Sequence, residues 1–487
     1  MSEPGSSRAA AGSPAAFIER PVTRTLVTFS LPILASSMLQ SLNGSINAAW
    51  IGRLLGNRAL TGAANANSLI FVLAGAVFGL GMSTTVMVGQ ALGAKNLALA
   101  KSAVGTGTAF FAGVAAILGA VGYEFAPQLL TAMHTPSDAL ELAVSYLRVL
   151  LVALPGFYLY TFAMMALRGA GDARTPFVFL VFSVGIDVGL TPVLIRGAGP
   201  IPALGIAGAG LASLIAQWSC LVALIGWLYL RKHPLCISLR ELHYFRADRA
   251  IIAKLLGKGV PMGLQVLLTN TAALAMITFV NRYGSETTAA YGACTQLWNY
   301  LQMPAFAVGS AVSSMAAQNV GARRWDRVSH IAWAGVGCAA AATAALVGLL
   351  GLGDRAALAL FLGDHSPSLP IALHINATVA WSYIPLVMGL VLFSLIRATG
   401  TVMAPLGIVF VSFIALRLPF AYFLEPWLGA SSIWWAFPVG AFAWTALSAS
   451  YYRWGGWRHA RMLEPRAPAP APVHSPAPAA ATEQAAS

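Results

Sequence analysis

Charge is scarce in this chain. Of its 487 residues only 9% are Asp, Glu, Lys or Arg, while 58% are hydrophobic. A soluble protein of this length cannot cover its surface with so little charge, which leaves an integral membrane protein. Cysteine is sparse too: Cys220, Cys236, Cys294 and Cys338 lie scattered without a CxxC spacing, so neither a disulfide framework nor a thiolate metal site is expected. The eight histidines form no metal-ligand pattern, and the glycine-rich turns GAGDARTP and GQALGAK lack the GK[ST] ending of a phosphate loop. Without a catalytic triad or a nucleotide-binding domain, the sequence predicts no enzyme, no cofactor and no ATPase subunit.

What is abundant is apolar length. Twelve runs have the span of a helix across a hydrocarbon layer of about 30 Å: 25–51, 62–91, 98–122, 139–167, 175–195, 203–230, 250–280, 288–318, 328–352, 371–396, 402–424 and 432–454. The expectation is an all-α membrane protein with twelve transmembrane helices. The first run is too long for the apolar part of a cleavable leader and reads as an uncleaved span.

The net charge of +13 raises nucleic acid as a partner, but the placement of the cations argues for topology. With the N-terminus inside, 22 Lys and Arg fall on the cytoplasmic side and 5 (Arg53, Arg58, Arg196, Arg282 and Arg355) on the other. That positive-inside bias predicts both termini in the cytoplasm, contact with membrane lipids, and no nucleic acid. Heavy use of Ala, Gly and Arg with little Lys fits a GC-rich bacterial genome, so a bacterial inner membrane is the expected location.

The sequence repeats at an offset of about 229 residues. Pro32 matches Pro261, Arg53 matches Arg282, VGQALGAKN (88–96) matches AAQNVGARR (316–324), and ALRGAGDARTP (166–176) matches LIRATGTVMAP (395–405). Four ordered matches at a steady offset indicate duplication. Six spans per half give both halves the same orientation, hence two pseudo-symmetric six-helix lobes around a central cleft that holds the substrate. The predicted layout is an N-terminal segment 1–24, a lobe 25–230, a linker 231–249, a second lobe 250–455 and a disordered Pro/Ala-rich tail 456–487.

Asp187 is the one carboxylate deep inside an apolar run, PFVFLVFSVGIDVGLTPVLI (176–195). A charged side chain at that depth costs roughly 2.5–3.5 kcal/mol on insertion scales, so it marks an ion or proton pathway more often than a structural site. The competing role is a fixed salt bridge to Arg148. Counted from the turn at Gly171, the two sit about 10 Å apart in depth, which disfavours it. Gln40, Asn43 and Asn47 share one face of the first span and are candidates for a polar cavity wall; Gln265, Thr269, Gln296 and Asn299 form a similar set in the second half. Interhelical hydrogen bonding competes with the substrate role for most of these. Arg417 is expected to snorkel outward near Glu425.

The motifs LPILASSMLQSLNGSINAAWIGRLLG (31–56), VGQALGAKN, ALRGAGDARTP, PVLIRGAGPIPALGIAGAGLAS (192–213), GVPMGLQ (259–265) and AAQNVGARR resemble the multidrug and toxic compound extrusion (MATE) family. The resemblance covers about residues 25–455 and implies cation-driven export of organic molecules. It also exposes departures. Asn47 stands where the family carries an aspartate, and Asp187, followed by Thr191, is displaced by one helical turn from the family acid. Ser213 matches a family threonine that lines the cavity, and acids of some members fall here on Thr269 and Leu386. The resemblance thus implies an ion-coupling set of Asp187, Asn47, Thr191 and Ser213, confined to the N-terminal lobe. The expected function is a secondary antiporter that exchanges amphipathic or cationic organic substrates for H+ or Na+. The rivals are a flippase for a lipid-linked saccharide, which would need more cations in the cleft, and a non-transporting membrane scaffold, which has no use for a buried acid.

Overall fold

A computed structural model describes residues 14–199, 202–460 and 462. The first 13 residues, with Arg8, and nearly all of the Pro/Ala-rich tail, with Arg461 and Arg466, lie outside the described residues.

Among the described residues twelve long helices follow one another: α1 (Val22–Leu55), α2 (Asn57–Gly93), α3 (Leu97–Ala132), α4 (Ser137–Ala170), α5 (Arg174–Arg196), α6 (Ile206–Leu230), α7 (Arg249–Asn281), α8 (Ser285–Gly321), α9 (Trp325–Leu362), α10 (Ser368–Ala398), α11 (Met403–Phe423) and α12 (Ser431–Trp454). Ten of these are long and apolar enough to cross a membrane, and α8 and α12 complete the set. The helices start and stop on local chemistry. Asn96 accepts the Leu99 N–H at 3.0 Å, and Asp248 accepts the Ala250 N–H at 2.8 Å, each satisfying a donor at a helix N-terminus that has no partner within its helix. Gly171 and Gly400, matched by the repeat, end the fourth helix of each half with φ of 94° and 95°, where a side chain would be strained. Two helices are irregular: α10 tightens to a 3-10 turn at Ala380–Ser382, and α11 widens to a π-helix over Phe410–Leu416.

Helices α1–α6 and α7–α12 form two lobes around a central cleft. Within the first, α2 and α3 pack on α4, and α6 packs on α4 and α5; the second repeats the plan with α8, α9, α10 and α12. Each lobe has its own core, Phe111, Tyr158 and Phe162 in the first and Tyr291, Trp298 and Trp434 in the second. A third core is shared: Val86, Met87 and Ala91 pack with Met315, Ala316 and Leu395. This seam lies at one end of the bundle, the end that carries both described chain ends and the basic connection between lobes. Small residues allow it. A Cβ on Gly79 would strike the Gly263 backbone, one on Gly93 the Gln318 carbonyl, and one on Gly321 the Gln90 carbonyl.

Both chain ends reach across the seam. The short helix Pro14–Glu19 precedes α1, yet the Phe17 carbonyl accepts from Asn319 Nδ2 at 3.1 Å and the Arg20 carbonyl from Arg327 Nη2 at 2.7 Å, both in the second lobe. Beyond α12, Trp457 is buried against Tyr452, and the Met462 N–H donates to Gln90 Oε1 in the first lobe at 3.1 Å.

Candidate cation and substrate site

Helix α5 carries Asp187 into the interior of the first lobe, where only 4% of the residue is exposed. The spacing of Asn43 and Asn47, four residues apart on α1, brings both amides to the same carboxylate oxygen: Nδ2 of Asn43 donates to Oδ2 at 2.9 Å and Nδ2 of Asn47 at 2.7 Å. From α6, Ser213 Oγ donates to the other oxygen, Oδ1, at 3.0 Å. Thr191, one turn after Asp187, donates to the Asp187 carbonyl at 2.6 Å and lies 3.4 Å from Asn47 Oδ1, locking α5 against α1. Hydrogen bonds to an ionised group contribute about 1.5–3 kcal/mol each, so three of them offset much of the cost of holding a carboxylate here. None brings a positive charge.

The carboxylate borders a cavity of about 750 Å³ lined entirely by residues of the first lobe, among them Gln40, Asn43, Asn47, Asn67, Tyr146, Tyr160, Arg168, Ser213 and Gln217. Asp187 is the one acid in that lining, and Arg168 the one base. Asn43 Oδ1 is buried there without a hydrogen-bond partner, which leaves an acceptor beside the carboxylate for a cation to use. The site offers oxygen donors from a carboxylate, two amides and two hydroxyls, the chemistry that suits a hard monovalent cation or a proton.

The salt bridge to Arg148 does not form among the described residues. Arg148 turns to α3 instead, with its guanidinium 5.0 Å from the Tyr123 ring centre and Nε 3.4 Å from the Tyr123 carbonyl. Arg417 also departs from expectation. Glu425 is engaged by Arg282 at 3.6 Å and by the Tyr283 hydroxyl at 3.0 Å, while the Arg417 guanidinium folds inward over Phe437. A cation in a lobe lined by aromatic rings finds there an attraction that a path to the surface does not offer.

The MatE family model matches residues 32–193 and 261–423, one stretch in each lobe. The chain belongs to the MATE family of efflux transporters. It is a transporter and not an enzyme. Among MATE relatives, a probable multidrug resistance protein of Bacillus subtilis (YoeA) is 33% identical over 89% of this chain and 94% of its own length. A second from the same organism (YpnP) is 28% identical over 92% and 98%, and a FAD transporter of Shewanella oneidensis is 27% identical over 64% and 68%. An outward-facing multidrug resistance MATE transporter of the MOP superfamily has the same fold, with a TM-score of 0.82 at 19% identity over 90% of this chain and 96% of that one.

The sequence candidates divide within this MATE fold. Asp187, Asn47, Thr191 and Ser213 come together, joined by Asn43, and Gln40 lines the same cavity. The second-lobe candidates stand apart from it. Gln265 is buried and donates to the Val402 carbonyl at 3.0 Å, Thr269 bonds back to the Gln265 carbonyl at 2.9 Å, and Gln296 and Asn299 are exposed on one face of α8. Tyr146 and Asn67 also belong to the cavity; Tyr146 is one aromatic among many in its run, whereas Asn67 breaks the apolar run 62–91 and has Gln296 at its place in the second half, a signal that could have found it.

Proposed function

We propose that this transporter exports amphipathic, often cationic organic compounds in exchange for H+ or Na+, and that the coupling cation is taken up at Asp187. The observation that carries the proposal is the geometry of that carboxylate: buried, held by three neutral donors, unpaired with any base among the described residues, and on the wall of a cavity of about 750 Å³. Multidrug resistance relatives along nearly the whole chain support the substrate class.

In this reading the coupling cation and the substrate compete for the first lobe. A proton on Asp187 removes the negative charge that attracts an organic cation. A sodium ion does the same and draws the Asn43 and Asn47 amide oxygens toward itself, reorienting α1 against α5. One charge moving through about 100 mV supplies about 2.3 kcal/mol, enough to bias a two-state transporter. With the basic end in the cytoplasm of a bacterial cell, as the cation distribution argues, the closed seam belongs to an outward-facing state.

Proteoliposomes loaded with ethidium test the reading, with pH and sodium gradients imposed separately. Extrusion that accelerates under one of the gradients is the expected result. Extrusion indifferent to both would overturn coupling at Asp187.

A further inference from the structure

The repeat that relates the lobes makes a comparison at Asp187 instructive. Pro176 and Pro405 are matched residues near the starts of α5 and α11, and Asp187 lies eleven residues past the first. Arg417 lies twelve residues past the second. Between Pro405 and Arg417 runs the π-helix Phe410–Leu416, whose wider turn takes up one extra residue. Arg417 therefore stands at the place in the second lobe that Asp187 holds in the first. In both lobes the charged group faces the sixth helix, Ser213 of α6 in one and Phe437 and Gly440 of α12 in the other.

The surroundings are opposite in kind. The counterparts of Asn43 and Asn47 at the 229-residue offset are Ala272 and Met276, both buried and apolar. Among the described residues no acid pairs with Arg417. Its guanidinium lies 3.6 Å from the centre of the Phe437 ring and 6.0 Å from that of Phe413. Trp298 and Tyr291 stand 5.3 and 6.1 Å from Phe437, and Tyr383 stands 5.8 Å from Trp298. Nε is buried without a partner, and no hydrogen bond or ion pair is described for the other two nitrogens. The residue as a whole stays partly exposed. A permanently charged fork with free donors, set among flat rings inside a membrane lobe, lacks only its anion.

We propose that Arg417 is a second binding point of opposite sign, which takes the carboxylate of an aromatic organic acid or zwitterion. The carboxylate receives the guanidinium fork, and the ring system lies against the part of Phe437 that is left uncovered. The two lobes thus present an acid and a base at equivalent places of the repeat. This goes beyond the coupling role of Asp187 and does not depend on it.

Binding of 1-naphthoate and of its neutral isostere 1-naphthamide to the purified full-length transporter, read by tryptophan fluorescence, tests the proposal. Wild type is expected to hold naphthoate about tenfold or more tighter than naphthamide, the effect of a charge-assisted hydrogen bond. R417Q should erase that preference, and R417K, which keeps the charge but loses the fork, should fall between. D187N should retain the preference, so a failure of coupling and a failure of this site are separable. Should R417Q not fold, phenylglyoxal labelling of wild type mapped by mass spectrometry replaces it: naphthoate, but not naphthamide, should protect Arg417. Equal binding of the two probes by wild type, a preference that survives in R417Q, or labelling of Arg417 indifferent to naphthoate overturns the assignment.

Discussion

Gln90 and Gln318 make the same bond in opposite directions. Nε2 of Gln90, on α2, donates to the Ala398 carbonyl at the end of α10 at 2.8 Å, and Nε2 of Gln318, on α8, donates to the Gly169 carbonyl at the end of α4 at 2.9 Å. Each lobe thus fastens to the fourth helix of the other through a residue of the repeated motif. A buried neutral hydrogen bond is worth about 1 kcal/mol, so the pair contributes about 2 kcal/mol to holding this end shut. The double variant Gln90→Ala/Gln318→Ala is expected to shift the open-to-closed ratio about 30-fold toward an open basic end. Spin labels at Ala94 and Ala322 read that end and labels at the exposed Asn57 and Ser285 the opposite one. A distribution unchanged at both ends contradicts the latch.

The glycines beside that latch act by absence. Gly93→Ala places a methyl group on the Gln318 carbonyl, and Gly321→Ala does the same to Gln90. Either substitution is expected to cut efflux at least about tenfold while the protein still inserts and purifies, because overpacking of about 1–3 kcal/mol falls only on the closed state. Wild-type efflux with a wild-type distance distribution would falsify this account of the seam.

Asp187→Asn keeps the shape of the side chain and removes its charge. It should leave thermal stability near wild type and abolish gradient-driven efflux of ethidium. Asn47 Nδ2 stands 2.7 Å from the carboxylate, so Asn47→Asp puts a second acid in contact with the first. Two carboxylates at that distance titrate as a pair, and the pH profile of transport should move. Full efflux by Asp187→Asn under the same gradient places coupling elsewhere.

The connection between lobes has its own pH dependence. Lys101 of α3 reaches both oxygens of Glu241 at 2.8 and 2.7 Å, and Ser238 donates its N–H and Oγ to the same carboxylate. These donors, the lysine first, hold the Glu241 carboxyl down to about 2 from its usual 4.5. A depressed carboxyl stabilises its docked state above its free value and loses that contribution as pH falls toward the bound one. Residues 238–246 should therefore stay protected from hydrogen exchange at pH 6 and lose protection between about pH 4.5 and 2. Lys101→Ala should loosen them already at neutral pH. Protection at pH 6 that survives Lys101→Ala contradicts the clasp.

Much of this was legible in the sequence, for physical reasons. Apolar length fixes the spans, and the 229-residue offset fixes two like-oriented halves. The spacing of Asn43 and Asn47 and the depth of Asp187 made a shared site readable, although Asn43 reads from sequence as cavity wall and proves to hold the carboxylate. The repeat matched Gln90 with Gln318 but was silent on their partners, because a duplication reports equivalent surroundings and never which residues face one another across a seam. Arg417 was misread for two reasons. Snorkelling is the default for a long cation near a helix end, and a one-residue π expansion hides from any count at constant offset that it stands opposite in role to Asp187.

The exchanged arms have a consequence for timing. Each end of the described chain is covalently part of one lobe and hydrogen-bonded to the other, through Phe17 and Arg20 at one end and Met462 at the other. Neither lobe can swing away at this end without first peeling off a strap that belongs to its neighbour. Opening at this end therefore carries the added cost of breaking these contacts, over and above the packing of the seam itself.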